Sequence, residues 1–120
     1  MVSKTLENAL NQQIELEAAS SQYYLAMASW AETQDLKGVA AFLYTYSNEE
    51  RGHMLKLVKY INERSGKALI PAVKKQPQNF ESVQYVFEEN LKPEILVSIG
   101  INNLVDICLK QKEYTTHNFL

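Results

Sequence analysis

Apolar residues recur along this chain at helical spacing in three long stretches. Steps of three and four residues connect Leu6, Leu10, Gln13, Glu17, Ser21, Tyr24 and Ala28 in the first. They connect Val39, Leu43, Tyr46, Glu50, His53, Leu57 and Tyr60 in the second, and Val83, Phe87, Asn90, Glu94, Val97, Ile101, Leu104 and Cys108 in the third. Residues so spaced share one face of a helix. The pattern predicts an all-α chain with helices over about 4–34, 37–64 and 82–112. A fourth starts from about 114 and runs barely two turns to Leu120. Ser3 or Thr5 suits the first N-cap and Ser82 the third. Asp35 suits the second, and Gly66 suits a left-handed helix end.

The connections set the topology. Gln34-Asp35-Leu36-Lys37-Gly38 is a short polar break, which makes the first two helices antiparallel neighbours. Residues 65–81 hold Gly66, Pro71, Pro77, Lys67, Lys74 and Lys75 and read as an extended crossover with solvated lysines. A helix over 37–64 is about 42 Å long, and extended residues 66–81 reach roughly 53 Å. The crossover can therefore return the length of the bundle and start the third helix parallel to the second. Pro93 falls inside the third helix, where it removes a hydrogen bond and crowds the preceding turn at a cost of ~3 kcal/mol. A kink or break beside Glu94 is expected.

Each seam is interrupted by charge. Glu17 lies between Leu10 and Tyr24, Glu50 and His53 lie between Tyr46 and Leu57, and Glu94 lies between Phe87 and Val97. Glu7, Glu15, Glu32, Glu88 and Glu89 fall off the seams and read as surface. An unpaired charge in a helical core costs several kcal/mol, so the seam carboxylates need partners. One reading is a metal site: hard carboxylate oxygens with one imidazole suit Fe(II), Mn(II) or Zn(II). Glu50-x-x-His53 also has the i, i+3 spacing by which di-metal carboxylate bundles present ligands inward. The other reading is a set of buried polar residues satisfied by one another or by water. Tyr24 is either core filler with a partnered hydroxyl or a phenol beside the metal. His117 stands alone near the end of the chain and reads as inert.

Composition narrows the class. The 120 residues suggest one domain, 1–120. With 46% apolar and 22% charged residues the chain has ordinary globular composition. A net charge of -2 gives no footprint for nucleic acid. No apolar run approaches the ~20 residues of a membrane span. The lone Cys108 and the plain start Met1-Val2-Ser3-Lys4 point to the cytoplasm.

Several segments carry a family resemblance: Asn11 through Glu17, Met27-Ala28-Ser29-Trp30, Ser47 through His53, Ile101 through Asp106, and Tyr114 through Leu120. In these the chain resembles the bacterial non-haem ferritins of the ferritin-like superfamily. The resemblance implies a ferritin-like antiparallel four-helix bundle with one long crossover between helices 2 and 3. It implies a di-iron (Fe) ferroxidase centre: Glu17, Glu50 and His53 on the first iron, Glu50 bridging, Glu94 on the second, Tyr24 beside the centre. Glu49 matches a carboxylate of a third, outer iron site in some members. It further implies oxidation of Fe(II) by oxygen or peroxide, storage of the ferric mineral, and a homo-oligomeric shell of twenty-four subunits. Gly52 stands where a bacterioferritin has its haem methionine, so no haem is expected. Such proteins continue past Leu120 with the rest of a fourth helix, which brings a Gln and a Glu near the second iron, and with a short fifth. The expectation is therefore a domain lacking its C-terminal part, with the first iron site complete and an open groove along the seams. The alternative function is a non-catalytic truncated subunit, or a fragment acting as a structural or assembly protein; a weaker one is a helical interaction module.

Overall fold

The computed structural model describes residues 2–120, except the side chains of Asn90, Leu91 and Pro93. It holds four helices, α1 Lys4–Thr33, α2 Lys37–Glu63, α3 Val83–Lys110 and α4 Tyr114–Phe119, in a rod of 49 × 21 × 21 Å. The seam position Asn90 and the side chain of Pro93 lie outside the described residues. The backbone does not break at position 93 as expected: α3 is one uninterrupted helix from Val83 to Lys110.

α1 is the spine. Glu17 meets His53 of α2, and Tyr24 meets Glu94 of α3, while Ser21 pairs with Ser47 and Gln13 with Val97. Residue numbers rise along α1 as they fall along both partners, so α2 and α3 are antiparallel to α1 and parallel to each other. The long crossover makes this possible. Asn11 clamps its start: Nδ2 donates to the carbonyl of Lys67 at 3.1 Å, and Oδ1 accepts from the Leu69 N–H at 2.8 Å. Glu7, expected to be merely solvated, accepts from the Lys67 N–H at 3.0 Å. At the far end Phe80 packs on Tyr23 and Trp30.

Two apolar clusters stack along the rod. Leu6, Leu10, Ile14, Leu57, Ile61 and Leu104 fill one end. Tyr24, Met27, Ala28, Leu43, Phe80 and Val86 fill the other. The polar seam residues lie between them. No Cα of α2 comes within 8 Å of a Cα of α3 among the described residues, so the quadrant opposite α1 is open. α4 covers only its end, where Tyr60 bonds Thr116 at 2.8 Å and stacks on Phe119.

Ser3 and Ser82 cap α1 and α3 as expected, accepting from the N–H groups of Leu6 and Tyr85. The other two end assignments need correction. Asp35 does not cap α2: the N-cap is Leu36, without a side-chain bond. Instead Asp35 takes φ 58° and closes α1, with its N–H on the Glu32 carbonyl and the Leu36 N–H on the Ala31 carbonyl. That is the Schellman hydrogen-bond pattern. Ser65, with φ 64°, does the same for α2 and Lys112, with φ 57°, for α3. Gly66 is not left-handed. Its missing side chain serves packing, since a Cβ there would lie 2.3 Å from Glu7 Oε1.

Candidate metal centre

Glu17 and Glu50 come from facing turns of α1 and α2, where the two seams meet. They are 2% and 4% exposed. His53, one turn after Glu50, brings Nδ1 to 3.6 Å from Glu17 Oε2 and 3.9 Å from Glu50 Oε2. The three residues offer ligand atoms all within 4.8 Å of one another. Two ligands held at ~2.1 Å by one ion lie at most ~4.2 Å apart, so the two contacts to His53 fit a shared cation.

The oxygens facing His53 favour the metal reading of the seams. Glu17 Oε2 and Glu50 Oε2 are buried and have no hydrogen-bond partner among the described residues. Buried polar atoms are nearly always satisfied, and two orphaned carboxylate oxygens on one imidazole are what a cation would satisfy. Burial pushes the Glu50 carboxyl up to about 8, reinforced by the neighbouring Glu17 carboxylate and by Glu94; His53 acts the other way. A cation stabilises the charged carboxylate in the proton's place.

His53 departs from expectation. The seam predicts a dry face, yet the His53 side chain is 55% exposed. It borders a cavity of about 260 Å³ in the open quadrant, lined also by Glu17, Leu57, Val97, Ile101 and Phe119. Among the described residues α4 alone covers that side, and the imidazole faces solvent while both carboxylates stay dry.

Glu94 sits beside this group, not in it. It is half-buried, and its Oε1 accepts from the Tyr24 hydroxyl at 2.9 Å. Tyr24 is buried. Burial, then the bond to Glu94, raises its hydroxyl above the ordinary phenol range, so at neutral pH it keeps its proton and donates. Glu49 is exposed and outside the three-residue group. His117 is half-buried on α4 and also outside it. Gln13 carries more than its place in the seam suggested: its Nε2 donates to Glu17 Oε1 at 3.2 Å. The available signal was a buried amide four residues before a buried carboxylate.

A family model described as the ferritin-like domain of ferritin matches residues 7–120. The chain belongs to the ferritin family. It is 39% identical over 120 residues to the bacterial non-heme ferritin of Campylobacter jejuni, spanning 72% of that protein. It is 37% identical to a probable bacterial non-heme ferritin-like protein of Haemophilus influenzae, spanning 73% of it. The solved Chlorobium tepidum ferritin superposes with TM-score 0.92 at 40% identity, covering 99% of this chain and 73% of that one. An open-pore ferritin from the archaeon Archaeoglobus fulgidus gives TM-score 0.92 at 32% identity, covering 99% and 74%. The antiparallel helices and the long crossover are thus those of a ferritin fold. No helix among the described residues is long and apolar enough to cross a membrane.

Proposed function

We propose that this chain is a cytoplasmic iron-storage subunit that binds Fe(II) and oxidises it to Fe(III), with oxygen or peroxide as electron acceptor. Fe(II) is the substrate. Glu17, Glu50 and His53 hold the first ion, Glu50 bridges to a second, and Glu94 holds the second from α3. Glu49 serves an outer site. Residues 1–120 act as one ferritin-like domain, and copies assemble into a shell, of twenty-four if the chain follows its relatives. The ions it holds are non-haem.

The observation that carries this reading is the pair of orphaned, buried oxygens on Glu17 and Glu50, both within 4 Å of His53 Nδ1. Two carboxylates bring two negative charges to a divalent ion, and the dry surroundings strengthen that attraction. Glu50 sheds its proton as the ion arrives. Tyr24 keeps its proton on the Glu94 side and orients that carboxylate. Each Fe(II) gives one electron to the acceptor, and the ferric product leaves for the mineral.

The test is to load metal-free protein with Fe(II) under argon, admit oxygen, and follow ferric absorbance. A rise faster than in protein-free buffer, and lost in Glu50→Ala, is the expected result. A rise no faster than buffer overturns the oxidase reading and leaves a non-catalytic assembly subunit.

A further inference from the structure

Gln13 is 1% exposed, one helical turn before Glu17 on the buried face of α1. Its Nε2 donates to Glu17 Oε1 at 3.2 Å and to the carbonyl oxygen of Val97 on α3 at 3.3 Å. A carboxylate and a backbone carbonyl only accept, so the orientation of the amide is fixed chemically. Turned over, it would set Gln13 Oε1 against two acceptors. The Oε1 side lies against α3 at Gly100. A Cβ at Gly100 would stand 2.0 Å from Gln13 Oε1 and 2.9 Å from Leu16 Cδ1. The amide is therefore held from three sides: the carboxylate it serves, the α3 backbone, and the gap left by a glycine.

The consequence falls on Glu17. Its Oε1 is engaged by Gln13, while Oε2 has no hydrogen-bond partner among the described residues and is the oxygen 3.6 Å from His53 Nδ1. We propose that Gln13 is a positioning residue for the metal site: it selects which oxygen of Glu17 faces the ion and locks that choice to α3 through Val97 and Gly100. α3 thereby acts on the α1–α2 site without supplying a ligand to its first ion. The inference rests on reading Glu17, Glu50 and His53 as a metal site.

Co(II), whose visible absorption reports its ligand geometry, is the probe. The full chain is compared with Gln13→Leu, Gly100→Ala, the double variant and His53→Ala. Loss of an outer partner of a metal ligand typically weakens affinity about 10- to 100-fold. Gln13→Leu and Gly100→Ala should each weaken Co(II) binding by that factor and shift its visible bands, because the Glu17 carboxylate becomes free to turn. The double variant should lose less than the product of the two single losses, since the added methyl, which also meets Leu16 Cδ1, acts in part through the amide already removed. Lowered melting temperatures with unchanged Co(II) affinity and spectrum would make Gln13 a packing residue only and overturn the proposal. If Gln13→Leu fails to fold, Gly100→Ala decides by the same readings. If wild type shows no Co(II) binding that depends on His53, the metal-site reading itself falls, and the positioning role falls with it.

Discussion

Two carboxylate groups share the polar layer between the apolar ends of the rod, and they are satisfied in opposite ways. Glu94 has a hydrogen bond from Tyr24 at 2.9 Å and lies half-buried. Glu17 and Glu50 are dry, close to each other, and each leaves one oxygen without a hydrogen-bond partner. The first arrangement is stable as it stands. The second is costly until something positive arrives, because burial and a like neighbour both disfavour the charged form. What marks Glu17 and Glu50 as candidates for the first ion is thus which buried oxygens the fold leaves unsatisfied, more than the count of acidic residues.

The sharpest way to break this contrast is to remove a member of the unsatisfied group. Glu50→Ala should weaken Fe(II) binding by more than about 100-fold, beyond what loss of an outer partner costs, as read by anaerobic calorimetry. The pH dependence of the metal-free protein should follow. In the fold Glu50 releases its proton near 8, against an ordinary 4.5. Between those values the folded state binds more protons than the unfolded chain, so stability should fall as pH rises from about 5 to 8. Glu50→Gln should flatten that slope in melts across the range, and Fe(II) binding below pH 8 should release a proton, measurable from calorimetry in two buffers.

The satisfied group should respond more mildly. Tyr24→Phe removes the hydrogen bond to the partly wet Glu94 carboxylate, a loss of about 1 kcal/mol in urea unfolding. Fe(II) affinity at Glu17–Glu50–His53 should stay within about twofold, as a change well below the ~1.4 kcal/mol worth of a decade. The smallest expected effect lies far from both groups. Ser65 holds φ 64° at the end of α2, where a glycine carries no side-chain penalty. Ser65→Gly should stabilise by up to about 1 kcal/mol in the same assay.

Much of this was legible in the residues. The seams through Glu17, Glu50 and Glu94 located the helices to within a residue or two, because periodic burial is a local property. The length of 65–81 implied the crossover and so the parallel course of α2 and α3. The helix ends were less legible. Left-handed Asp35, Ser65 and Lys112 stand where glycine is the usual signal, and the tertiary structure holds them there despite their side chains. The exposure of His53 depends on what packs across from it in three dimensions, which no spacing within α2 records. Gln13 looked like one more seam residue, since its importance rests on Val97 and Gly100, more than eighty positions away in sequence. The pairing of Tyr24 with Glu94 likewise joins α1 to α3, so spacing along either helix left the tyrosine's role open.

The most direct test is crystallographic: grow metal-free crystals, soak them with Fe(II) under argon, and collect data at the iron absorption edge. The account expects an anomalous peak at coordination distance from Glu17 Oε2, Glu50 and His53 Nδ1, absent from crystals of His53→Ala treated alike. An empty map at that position, with both carboxylates bonded to water or to each other, would contradict it.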